Sequence, residues 1–440
     1  MITEYKNGGE AVCPECGRKH PTFLRGYSLG HGALDDVPEC MKRLGADFPY
    51  VLCDRDTYEA AGAKVCGILE ANGIRYHLYI IGRKTPAPDE CTVGEAVMNC
   101  PVDCDSVIAV GGGVINDTSK IIASQKKAPM LMVSTAPSMD GLASATSSME
   151  RGGLKLSLNT KCPDYVIGDT AVLAHAPKKL TVSGIGDMLA KYVSLTEWRI
   201  AHLLIDEYYC PAVAETVRKS LDKCVGNAYA AVSGDEEASA AVTEGLITSG
   251  IAMNMAGVSR PASGMEHYIS HVIDMRALEF GTPKELHGIQ CGIGTLYTVR
   301  LYEKLKKHLA AGPIDVEKAV RHAEEFDYGE YSAKMRERLG RGADIMIANE
   351  AREKKYSPEG QKMRAERINE HREELCRIID GLPTSDELYN LMKKIGHPTD
   401  LHEIGLGDDE ILYAETYARD IRDKYVLGRL LWDIGIDGWF

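Results

Sequence analysis

Ser106-Val107-Ile108-Ala109-Val110 is an unbroken apolar run that ends in Gly111-Gly112-Gly113, and Asn116 to Gln125 then follows helical spacing. A run without polar alternation suits a strand buried on both faces. The glycines make the tight turn into the helix. Such a strand–turn–helix unit is the building block of a parallel sheet covered by helices. The same pattern recurs along the first part of the chain, from Tyr27 on. Tyr50 to Cys53 reads as a strand ending in Asp54, Asp56 to Asn72 as a helix and Tyr76 to Ile81 as a strand. Val93 to Met98 belongs to another helix, and Met130 to Val133 is a strand ending in Ser134-Thr135-Ala136-Pro137-Ser138. Strand signals stop near Ala176, and helical patterns fill the rest. The expected architecture is α/β: an N-terminal parallel-sheet nucleotide-binding domain over residues 1–176, followed by an all-helical metal- and substrate-binding domain over 177–440.

The length of 440 residues suits two or three domains, and an apolar fraction of 44% is enough for real cores. A net charge of −13 argues against nucleic acid and anionic membrane surfaces as partners. It does not exclude a small anionic substrate, which a few local cations can hold. Met1 to Glu10 lacks the basic and apolar regions of a signal peptide. No apolar run approaches membrane-spanning length, so a cytoplasmic protein without membrane insertion is expected. The 13 cysteines are scattered and odd in number, which reads as buried or free thiols rather than a disulfide framework. The dense charge between Glu303 and Arg377 reads as solvated helix faces.

Three segments carry metal-binding residue types: Gly184-Ile185-Gly186-Asp187, Arg260 to His271, and Leu286-His287-Gly288. Asp187, His267 and His287 can supply three ligands to one divalent ion and leave a position open, the mark of a catalytic site. Gly184 and Gly186 are expected to turn the backbone just before an amphipathic helix from Asp187 to His202. His267 and His271 share one helical face. Ser138-Met139-Asp140-Gly141 sets a carboxylate beside the Ser134–Ser138 loop.

The glycine turn after Val110 lets a pyrophosphate approach backbone N–H groups at a helix N-terminus. It is not the G-x-G-x-x-G fingerprint of ordinary dinucleotide folds. The Ser134–Ser138 loop, at the end of the next strand, makes a second wall of that cradle. Asp54 is either an acceptor for a ribose diol or a helix cap. Cys13-Pro14-Glu15-Cys16 followed by His20 resembles half of a zinc knuckle. With no matching second pair nearby it reads as a surface lead-in with two free thiols, and Cys40 or His31 are the candidates to complete a site.

The segments Gly111–Gly113 with Asp117 and Lys120, Ser134 to Ser144, Gly184 to Trp198, Ser259 to His271 and Leu286 to Gly288 together resemble the sn-glycerol-1-phosphate dehydrogenases. These belong to the iron-containing alcohol dehydrogenase and dehydroquinate synthase-like superfamily. The resemblance implies reduction of dihydroxyacetone phosphate to sn-glycerol 1-phosphate by NADH or NADPH, a step toward phospholipid biosynthesis. It implies a divalent metal (Zn, Ni or Fe) on Asp187, His267 and His287. His271, Asp140 and Asp187 fall at substrate-contact positions. The nucleotide-contact positions are Asp54, Gly113, Val114, Ile115, Asn116, Asp117, Thr135, Ala136, Pro137, Ser138 and Ser144. A homodimer is the family expectation. Arg260 and Lys191 are candidates for the substrate phosphate. Ser134 stands where the family often has proline, and the Cys-x-x-Cys lead-in departs from archaeal members.

Three other readings compete. A polyol dehydrogenase would act on unphosphorylated glycerol. A dehydroquinate synthase-like lyase would use NAD only transiently and expects a dense Lys/Arg set that the sequence lacks. A non-catalytic binding protein would not keep a complete Asp/His/His set.

Overall fold

The computed structural model describes residues 2–4 and 12–436. Most of the polar lead Met1–Glu10 falls outside the described residues. The chain forms two compact units. One comprises Met1–Met188 and Pro211–Ser259, the other Leu189–Cys210 and Arg260–Phe440.

The first unit is built on a seven-stranded sheet. Its strands are β1 (Thr3–Glu4), β2 (Gly26–Gly30), β3 (Pro49–Asp54), β4 (His77–Ile81), β5 (Ser106–Gly111), β6 (Met130–Ser134) and β9 (Tyr165–Asp169). The order is β1-β2-β9-β6-β5-β3-β4, parallel except for β1 against β2. β5, β6 and β9 are buried along their whole length and β3 nearly so, as the apolar runs require of strands covered on both faces. The chain leaves β3 toward β4 but leaves β5 toward β6, on the opposite side. Leu52 of β3 pairs with Ala109 of β5, so Asp54 and Gly111 end neighbouring strands at this reversal of strand order. Ligands of open α/β sheets bind at such a point.

β7 (Thr146–Arg151) and β8 (Leu154–Asn159) form a separate antiparallel hairpin. Its two-residue turn, Gly152-Gly153, has both φ values positive, at 59° and 74°. That matches the type I′ geometry favoured between twisted strands.

One expectation needs correction. The Lys178–Ile205 helix begins well before Gly184, so Gly184 and Gly186 lie inside a helix rather than in a turn. Every residue from Thr181 to Trp198 is buried, so this helix has no solvated face over that stretch. The helices Pro211–Val232 and Glu236–Ala256 pack with the sheet unit. Helical periodicity shows that a helix buries a stripe, but not against which core.

Among the described residues the second unit is all-helical. Its Met265–Phe280 helix is followed by the segment 281–286. That segment carries the chain back so that the His287–Ala311 helix begins beside Ser270.

Candidate active site

In the sheet unit, the Gly113–Lys126 helix starts at the carboxyl end of β5, with Gly112 as its N-cap residue. Its first turn presents the amides of Gly113, Val114 and Ile115, while the Asn116 amide closes on the Gly112 carbonyl at 3.0 Å. Thr135 lies beside it, its N–H donating to the Gly111 carbonyl at 3.2 Å. The two expected walls of the cradle, residues 113–117 and 135–138, therefore meet. Exposed amides at a helix N-terminus suit an anion such as a pyrophosphate.

Not every expected nucleotide residue faces that cradle. The Asp117 carboxylate accepts from the Ser148 amide at 3.1 Å and sits 3.5 Å from Lys120 Nζ. Burial pushes its carboxyl upward, against the pull of Lys120. Lys120 is fully buried and donates to the Gly141 carbonyl, Ser144 Oγ and the Thr146 carbonyl. Asn116 donates to the same Gly141 carbonyl at 2.9 Å. Asn116, Asp117, Lys120 and Ser144 thus act as a brace that ties the helix to the loop carrying Asp140. Asp54 caps the short helix Arg55–Thr57. Its Oδ1 accepts from Thr57 N and Thr57 Oγ1, each at 2.8 Å, so this oxygen caps the helix.

Asp140 and Asp187 meet in this unit. The Asp140 amide donates to Asp187 Oδ2 at 2.9 Å, and Ser249 Oγ donates to Asp140 Oδ2 at 2.8 Å. The helix bearing Asp187 is pressed on the Ser134–Ser138 loop. A Cβ at Gly184 would stand 1.9 Å from the Pro137 carbonyl oxygen, so only glycine allows this approach. Ser183 Oγ adds a hydrogen bond to the Ser138 carbonyl at 3.1 Å.

In the helical unit three imidazoles cluster. The His267 and His287 rings are 5.0 Å apart between centroids, and His271 lies 6.5 Å from the first and 6.1 Å from the second. His267 Nδ1 pairs with Glu266 Oε1 at 2.8 Å, and His287 Nδ1 faces Ser270 Oγ at 3.2 Å. Gln290 Nε2 donates to that serine oxygen at 2.9 Å and fixes it. Both histidines are thus gripped at Nδ1, the arrangement that presents Nε2 to a metal. The donor set fits a divalent ion. His267, His287 and Cys291 place ligand atoms within 4.8 Å of one another.

Sequence reasoning missed Glu266 and Cys291. Cys291 follows His287 by one helical turn, so spacing could have flagged it, whereas adjacent helical residues such as Glu266 and His267 do not share a face and gave no such signal. Burial pushes the Glu266 carboxyl up to about 7. Burial first, then the nearby Glu266 charge, pushes Glu197 up to about 8.

Both candidate phosphate contacts have partners within the protein. Arg260 is buried, pairs with the Glu207 carboxylate and donates to the Tyr425 carbonyl. Lys191 is fully buried and donates to the Ala262 carbonyl at 3.1 Å. Lys424, which sequence reasoning did not single out, donates to the Ser263 carbonyl, and burial lowers its ammonium to about 7.

Residues 28–177 match the family model described as iron-containing alcohol dehydrogenase. A glycerol-1-phosphate dehydrogenase [NAD(P)+] of Bacillus velezensis is 35% identical over 93% of this chain and 92% of its own length. One from Halalkalibacterium halodurans is 30% identical over 94% of each. Among solved structures, the NADH-dependent butanol dehydrogenase A of Thermotoga maritima superimposes with a TM-score of 0.58 at 16% identity, covering 98% of both chains. At that identity the likeness speaks for the fold.

Proposed function

The chain belongs to the glycerol-1-phosphate dehydrogenase family of the iron-containing alcohol dehydrogenases, and from that membership we propose that it reduces dihydroxyacetone phosphate to sn-glycerol 1-phosphate with NADH or NADPH. The observation that carries the reading is the pair His267 and His287, each held at Nδ1 and 5.0 Å apart. We assign the divalent metal to these two histidines and Asp187, which together leave an open position.

When bound, the metal stabilises the negative charge that develops on the carbonyl oxygen, and the dinucleotide supplies the hydride. The chain's own residues do the rest. The first-turn amides of the Gly113–Lys126 helix hold the pyrophosphate. Asp54, in its capping position at the end of β3, is the residue we assign to the ribose. Through its amide, Asp140 fixes the orientation of Asp187, and its carboxylate offers an acceptor to the substrate hydroxyl. A ring nitrogen of His271 delivers the proton that the carbonyl oxygen takes up, so ketone, hydride and proton balance to the alcohol.

No helix among the described residues is long and apolar enough to cross a membrane. A cytoplasmic homodimer completes the proposal.

The test is NADH oxidation by the purified chain with dihydroxyacetone phosphate and, separately, with dihydroxyacetone. Net consumption that depends on the phosphorylated substrate supports the reading. Equal or faster turnover of dihydroxyacetone would favour the polyol dehydrogenase, and no net consumption would favour the lyase.

A further inference from the structure

We propose that Cys13, Cys16, His20 and Cys210 hold one structural zinc ion, separate from the catalytic metal. Cys13 to Lys19 fold back on themselves: the Cys13 amide donates to the Arg18 carbonyl and the Gly17 amide to the Cys13 carbonyl, both at 2.9 Å, and Val12 bridges Lys19. Gly17 has φ +69°, a conformation L side chains seldom adopt. A loop of this shape aims two cysteine sulfurs at one point.

His20 supplies the independent observation. Its Nδ1 lies 2.7 Å from the Met255 carbonyl oxygen, which can only accept, so Nδ1 carries the proton. Nε2 is then the lone-pair nitrogen, and it sits 3.2 Å from Cys16 Sγ. A histidine whose far nitrogen is pinned to a backbone carbonyl is oriented as zinc-binding histidines are. The ligand atoms of Cys13, Cys16 and His20 lie within 4.8 Å of one another. Zn–S near 2.3 Å and Zn–N near 2.0 Å put ligand atoms of a tetrahedral site roughly 3.5–4 Å apart, so only a small contraction is needed.

Chain connectivity supplies the fourth ligand. The Pro211–Val232 and Glu236–Ala256 helices, of 22 and 21 residues, pack as a hairpin joined by a short turn. Pro211 therefore starts at the end where Met255 finishes, and Cys210 is its covalent neighbour. A Cys3His set is a closed structural site. Neither candidate from the sequence completes it. His31 faces Glu236 at 2.9 Å, and Cys40 is buried in the apolar core. The ion would pin the amino-terminal loop to the end of the helical hairpin, and its binding would release the thiol protons.

The test is metal analysis of the full chain beside thiol labelling. C13S/C16S should contain one equivalent of zinc less than wild type, whatever the catalytic site holds, and H20C should retain that equivalent. In the wild-type protein, Cys13 and Cys16 should resist iodoacetamide until a chelator is added and then react. This second readout needs no variant to fold. Unchanged zinc in C13S/C16S, or equal labelling of Cys13 and Cys16 with and without chelator, overturns the proposal. Both outcomes are independent of whether dihydroxyacetone phosphate is the substrate.

Discussion

Glu266 Oε1 lies 2.8 Å from His267 Nδ1, one residue along the same helix, and also accepts from the Gly264 amide at 2.7 Å. The carboxylate therefore sets the ring's tautomer and angle. Such partners usually govern metal affinity without touching the ion. Glu266→Gln keeps the shape and weakens the acceptor. Metal affinity should fall by about 10–100-fold while the fold persists. Equilibrium dialysis of the variant against competing chelator checks it; unchanged affinity would remove Glu266 from the site.

Asp187→Ala, His267→Ala and His287→Ala should each lose both bound metal and nearly all turnover. His271→Ala should keep the metal and lose rate, by about 10²–10⁴-fold if it acts as the general acid. Metal content and steady-state rate measured on the same samples separate the two classes. Tightly held stoichiometric metal in the first three would overturn the ligand assignment.

Gly184→Ala is a test of sign. By helix propensity alone, alanine inside a helix should stabilise by about 1 kcal/mol. The Pro137 carbonyl oxygen, 1.9 Å from the new Cβ, reverses the expectation. We expect destabilisation of about 1–3 kcal/mol from overpacking. The KM for NADH should rise, because the displaced loop is a wall of the nucleotide cradle. Urea titration and cofactor kinetics read the two effects.

Glu415 gives a pH prediction in the helical unit. Burial first, then the Asp400 charge, raises its carboxyl from 4.5 to about 7. The folded state thus holds this proton more tightly than the unfolded chain does. Its contribution to stability is full below 4.5 and is lost as pH rises through about 7. Glu415→Gln should flatten the fall in denaturation midpoint over that window. An identical pH profile in the variant would contradict it.

The legibility of this molecule followed the range of the interactions involved. β3, β5 and β6 were readable because a strand covered on both faces must be apolar throughout. The His267 and His287 segments were readable because their chemistry is local. Gly184 was misread as a turn because glycine signals freedom in sequence, whereas here it answers a carbonyl from a distant loop. The β7–β8 hairpin went unplaced, although Gly152-Gly153 is a two-residue turn signal. Arg260 and Lys191 were candidates for the phosphate, and their contacts with Glu207 and backbone carbonyls are long-range packing that no local motif writes.

A ketone held at its oxygens, its free hydroxyl and its phosphate, with hydride from one face, yields one enantiomer. Family membership makes that enantiomer sn-glycerol 1-phosphate. The decisive measurement is to run the reduction of dihydroxyacetone phosphate to completion and offer the product, with NAD, to an enzyme specific for sn-glycerol 3-phosphate. The account predicts that the product resists oxidation. Rapid and complete oxidation would contradict it, even if every metal ligand proved correct.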